Sequence, residues 1–99
     1  MKRFQGKKVI IRSNGAGVFF GTLDEVKENN CVVMSDVRRI HYWCGAASLS
    51  QLSVDGVKEP GKCRFSVTVP QCAVTGILEI IPCSEKAIKN IEKVPVWKI

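Results

Sequence analysis

Short apolar runs broken by glycine, asparagine and proline set the rhythm of the first half of the chain. Residues 7–12 (KKVIIR) are too few for a stable helix and rich in β-branched side chains, which predicts a strand. Ser13-Asn14-Gly15 predicts a turn, because Asn and Gly tolerate positive φ. Residues 17–26 (GVFFGTLDEV) predict a second strand, and Gly21 within it marks a bulge or a sharp corner. Residues 27–30 (KENN) form a polar turn, residues 31–34 (CVVM) a third strand, Ser35-Asp36 a further turn and residues 37–44 (VRRIHYWC) a fourth strand. Strands in such quick succession predict a meander or a small barrel of SH3-like size.

The texture then changes. Residues 48–55 (SLSQLSVD) predict a short helix with Ser48 at its N-cap. Gln51, three residues on, completes a capping box, and Gly56 is placed to end the helix. Residues 57–62 (VKEPGK) read as a loop around Pro60-Gly61. Residues 65–69 predict a strand stopped by Pro70, and residues 75–81 (TGILEII) another. A last helix over residues 85–93 begins after Ser84, with Ala87, Ile88 and Ile91 on one face and Glu85 able to pair with Lys89. Pro95 ends it, leaving residues 96–99 as a tail. The expectation is an α+β fold, β-rich, with two short helices, in a single domain spanning residues 1–99.

Composition narrows the function classes. The hydrophobic share of 45% is enough for a packed core, which argues against intrinsic disorder. Fifteen Lys and Arg against nine Asp and Glu leave a net charge of +6. Such a surface suits an anion, either a nucleotide, nucleic acid or an acidic protein, and it also serves plain solubility. No apolar run approaches the ~20 residues that span a bilayer, and no signal-peptide core follows the N-terminus. An intracellular protein without a membrane partner is expected. The five cysteines, at 31, 44, 63, 72 and 83, form no C-x-x-C pair, and His41 is the only histidine. A tetrahedral metal site needs closely spaced pairs of such ligands, so no metal or cofactor is expected and the cysteines read as free thiols.

Catalytic chemistry finds little to stand on. Cys44 lies three positions from His41, and an odd offset along a strand points two side chains to opposite faces. Asp24 and Glu25 diverge in the same way. Residues 14–17 (NGAG) are glycine-rich but open no helix, so they make a weak phosphate loop. No catalytic residue is assigned.

Residues 38–48 (RRIHYWCGAAS) are the densest stretch. One strand face presents Arg38, Ile40 and Tyr42, and the other presents Arg39, His41 and Trp43. Guanidinium groups clamp phosphates and aromatic rings stack on bases. Gly45 and Ala46 are small enough for a ligand to approach the backbone, and Ser48 opens a helix whose first N–H groups favour an anion. These are parts of a nucleotide site. They also fit a half-buried strand with Trp43 and either Ile40 or Tyr42 in the core, followed by a tight turn. Trp97, close to the C-terminus, either packs on its own chain or reaches a neighbouring subunit or a ligand.

The segments GVFFGTL (17–23), RRIHYWCGAASL (38–49), IIPCSEKA (80–87) and VPVW (94–97) resemble a family of small uncharacterised phage and prophage proteins. Members of that family often carry Trp at the position of His41 and Ser at that of Cys44. The chain also resembles phage anti-CBASS sponges. That resemblance implies binding and sequestration of a cyclic (di)nucleotide defence signal, without cleavage, in the cytoplasm of an infected bacterial host. Arg38 or Arg39 would take phosphate, His41, Tyr42 or Trp43 would stack on a base, and Gly45 to Ser48 would supply donors. A chain this small offers little concave surface, so a homo-oligomer, dimer or tetramer, is expected. The alternatives are a small barrel that binds DNA or RNA, and a phage structural or protein-inhibitor module.

Overall fold

A computed structural model describes residues 2–99. Six strands form one antiparallel sheet: β1 (Lys8–Ser13), β2 (Gly17–Lys27), β3 (Cys31–Tyr42), β4 (Arg64–Phe65), β5 (Val69–Thr75) and β6 (Ile77–Pro82). The path runs β4-β3-β2-β1-β6, and β5 pairs with the same edge of β3 that β4 uses further along. Two helices follow the strands they cover, α1 (Leu49–Asp55) and α2 (Glu85–Glu92). The fold is α+β and β-rich, as expected. The sheet is a curled meander and does not close into a barrel.

The curl has a local cause. Phe20 pairs with Arg38 and Thr22 with Ser35, so Gly21 faces two residues of β3 where a regular ladder would give one. Asp36 takes up the extra length with φ of 50°. A Cβ on Gly21 would sit 2.9 Å from the Ser35 carbonyl oxygen, so only glycine lets the strands approach this closely. The bulge at Gly21 matches the expectation. The turn at Ser35-Asp36 does not, because the kink is absorbed within one twelve-residue strand, β3.

Curling gives the sheet two buried faces, which explains why Val9, Ile10 and Ile11 are buried in succession. Ile10, Phe20 and Ile40 pack under the helices with Leu52, Phe65, Ala87 and Ile91. Val9, Ile11, Phe19, Leu23, Met34 and Val74 form a second core on the opposite face. Fully burying one such side chain contributes about 1.5–3 kcal/mol, so both cores matter to stability.

The helix ends follow the sequence closely. Ser48 Oγ accepts from the Gln51 N–H at 3.1 Å, and Ser84 Oγ accepts from the Ala87 N–H at 3.0 Å. Gly56, at φ of 77°, ends α1 and donates its N–H to the Leu52 carbonyl. The capping box is altered, because Gln51 Oε1 accepts from the Ala47 N–H one residue before the cap. Among the described residues Glu85 and Lys89 form no ion pair, and Lys86 instead reaches Asp55 of α1. Pro70 lies inside β5 and does not stop it. An outer strand tolerates proline because the missing N–H faces no partner.

Candidate functional site

β3 carries the densest sequence stretch, and its two faces have different fates. Arg38 is 4% exposed and turns under the helices. Its Nε donates to the Ser66 carbonyl at 3.0 Å and its Nη1 to the Ile91 carbonyl at 2.9 Å. Longer bonds from Nη2 reach the Phe65 and Pro95 carbonyls. The guanidinium thus ties β4, the end of α2 and the tail to β3, and its charge is met by backbone carbonyl dipoles. Burial lowers its pKa. The face carrying Ile40 belongs to the core, so the arginine beside it is enclosed as well.

Arg39 points the other way and is exposed. Its guanidinium lies 4.7 Å from the centroid of Phe19, its cross-strand partner. The Arg39 backbone is held in both directions by Ser66: the Arg39 N–H donates to Ser66 Oγ at 2.7 Å, and the Ser66 N–H to the Arg39 carbonyl at 2.9 Å. Beside them opens a cleft of about 280 Å³. Phe19, Val37 and Cys72 form its apolar side, Arg39 and His41 its polar wall, and Ser66 and Val67 of the β4–β5 link, with Val69 at the start of β5, its rim.

His41 shares this face with Arg39 and meets the tail. The His41 and Trp97 rings lie 5.4 Å apart at 59°. The tail is held beside β4 by a single parallel bridge, Val96 to Phe65, with the Trp97 N–H donating to the Phe65 carbonyl at 2.9 Å. Trp97 remains 50% exposed. Arg64, also exposed, places its guanidinium 5.4 Å from the Trp97 ring centroid. Among the described residues neither Arg39 nor Arg64 has a carboxylate within ion-pair distance.

The remaining sequence candidates lie elsewhere. Tyr42 is exposed where β3 pairs with Arg64, while Trp43 and Ala46 pack against the helix-side core. Gly45, at φ of 93°, sits so close to residues 58–59 that an added Cβ would lie 2.5 Å from the Lys58 nitrogen. The Lys58 N–H donates to the Gly45 carbonyl. The small-residue turn therefore admits its own chain. Ser48 is occupied by its capping bond. Of the candidates, Arg39, His41 and Trp97 come together. Arg64 went unnoticed in the sequence, since a lone arginine after a cysteine carries no pattern.

All five cysteines are free. The Cys44 thiol donates to Glu59 Oε2 at 3.0 Å, and that bond, aided by desolvation, holds its pKa up. The same bond, together with Lys62, holds the Glu59 carboxyl below its usual range. Among the described residues no group of three or more His, Cys, Asp or Glu side chains is arranged to hold a metal ion, and no helix is long and apolar enough to cross a membrane.

A family model covers residues 6–91, a span that includes every strand and most of α2. The chain belongs to the DUF6948 family, a domain of unknown function. No curated protein matches it. The matched span of this DUF6948 domain holds Arg39, His41 and Arg64, and Trp97 lies just beyond it.

Proposed function

We propose that this protein binds a nucleotide in the Arg39–His41 cleft and holds it without chemical change. The observation that carries the reading is Arg39: an exposed guanidinium with no carboxylate partner among the described residues, at the wall of an apolar cleft and two residues from a ring that meets Trp97. A guanidinium with free donors suits a phosphate, and rings beside it suit a base. The resemblance to anti-CBASS sponges directs the choice within that class to a cyclic (di)nucleotide sequestered in an infected bacterial cell. The cleft is at the small end of ligand pockets, which run to about 300–1,000 Å³, so one chain would cover only part of a dinucleotide. A dimer or tetramer that shares the ligand belongs to the same proposal.

A second reading rests on the exposed Trp97 and Arg64 outside the cleft. An open row of rings and guanidiniums also suits single-stranded nucleic acid. Calorimetry with a panel of cyclic mono- and dinucleotides, beside a single-stranded oligonucleotide, tests both. Binding of a small nucleotide that is recovered intact by chromatography supports the first. A polymer that neutralises several phosphates loses about 0.7 log units of affinity per phosphate per decade of salt. Steep salt dependence with the oligonucleotide, and silence with every small nucleotide, would overturn the sponge.

A further inference from the structure

We infer that Arg64 forms a second anion subsite, across Trp97 from the cleft, so that the ligand carries two phosphoryl groups; this rests on the nucleotide reading of the Arg39–His41 cleft. The registers of β3 with β4 put Phe65 opposite Ile40 and Arg64 opposite Tyr42, with a shift between the pairs. Phe65 is in the helix-side core with Ile40. Arg64, the next residue along, therefore projects to the face that carries Arg39 and His41. Ring contacts connect the two guanidiniums. His41 lines the cleft and touches Trp97, and Trp97 is in turn covered by Arg64.

The charge arrangement supports a ligand role. Arg39 and Arg64 each lie over an aromatic ring, as the buried Arg38 does over Phe65, and among the described residues neither exposed guanidinium meets a carboxylate. A guanidinium over a ring keeps its N–H edge free for an incoming oxygen. Two like charges held on one face, without an acid between them, repel each other until an anion arrives. A ligand with a single phosphate leaves one of them unsatisfied. One with two phosphates joined through nucleosides can place a base at His41 and Trp97 and a phosphate at each end.

The test compares matched cyclic mono- and dinucleotides carrying adenine, guanine or uracil against the parent, Arg39→Ala, Arg64→Ala and Arg64→Lys. For the base that binds best, Arg39→Ala should weaken both ligands about tenfold or more, the effect of losing a charged hydrogen bond. Arg64→Ala should weaken the dinucleotide by a similar factor and leave the mononucleotide within about twofold, and Arg64→Lys should recover part of the loss. Unchanged thermal unfolding of Arg64→Ala certifies its fold. If Arg39→Ala abolishes binding while Arg64→Ala leaves both ligands alone, the subsite falls and the cleft stands. If no nucleotide binds the parent, both fall. A twelve-nucleotide single strand that binds the parent about a hundredfold more tightly than the dinucleotide overturns the two-phosphate ligand in favour of a polymer.

Discussion

Arg38 and Arg39 are chemically identical neighbours on opposite faces of β3. On the helix-covered face Arg38 gives its donors to four backbone carbonyls, and on the open face Arg39 meets solvent and the ring of Phe19. The contrast extends beyond the two arginines. On the helix side, Gly45 and Ala46 accommodate the chain's own loop and core, and Cys83 packs among apolar neighbours. On the open side, Cys72 lines a cleft and Trp97 stands half exposed. One face spends its polar groups on the fold, while the other keeps donors and rings unspent. A charged residue signals binding only when its own fold has not already satisfied it.

The sharpest way to break that comparison is to remove Arg38. Arg38→Ala leaves buried carbonyls without donors and releases the tail, and should cost about 3 kcal/mol in chemical denaturation. Lysine should recover little, because one ammonium cannot reach carbonyls on three separate elements. A loss below about 0.5 kcal/mol would place Arg38 among ordinary surface residues.

Arg39→Ala should do the reverse. Stability should stay within about 0.5 kcal/mol, while nucleotide affinity falls by about 1.5–3 kcal/mol, read by calorimetry. Equal binding by parent and variant would remove the cleft from consideration.

Gly45→Ala examines the small-residue turn. The new Cβ meets the backbone of residues 58–59 at a positive φ, so a loss of about 1–3 kcal/mol in stability is expected. If the folded variant instead keeps its stability and loses ligand, the turn serves the ligand after all.

The smallest effects concern Cys83 and Cys72. Burial pushes the Cys83 thiol from 9.0 up to about 12. A raised pKa means the fold favours the neutral thiol, so its contribution is complete below pH 9.0 and fades as pH rises towards about 12. Melting temperatures in that alkaline window should fall more steeply for the parent than for Cys83→Ala, and parallel curves would contradict the assignment. Peptide mapping after mild alkylation should find Cys83 slower to react than Cys72, and a bound nucleotide should protect Cys72 in the cleft. Protection of neither thiol, or of Cys83 alone, would put the ligand elsewhere.

Much of the fold was legible along the chain. The first two strands, both helix caps, the bulge at Gly21 and the glycine stop of α1 depend on near neighbours, and near neighbours are what a sequence displays. The errors came where a distant partner decided. Ser35-Asp36 has the composition of a turn, yet pairing with β2 on one side and β5 on the other carries the strand through it. Pro70 has the chemistry of a strand breaker, yet an outer position makes it harmless.

The site divides along the same line. By itself the sequence determined that Arg38 and Arg39 face opposite ways, that no C-x-x-C pair exists, and that rings and guanidiniums crowd one stretch, because strand alternation and residue chemistry are local properties. Only the tertiary structure decided which arginine is enclosed, that Gly45 is filled by residues 58–59, and that Arg64 and Trp97 meet His41 from β4 and the tail. Enclosure of Arg38 depends on which face the helices cover, and these contacts join residues up to fifty-six positions apart in the chain, a proximity that no local pattern encodes.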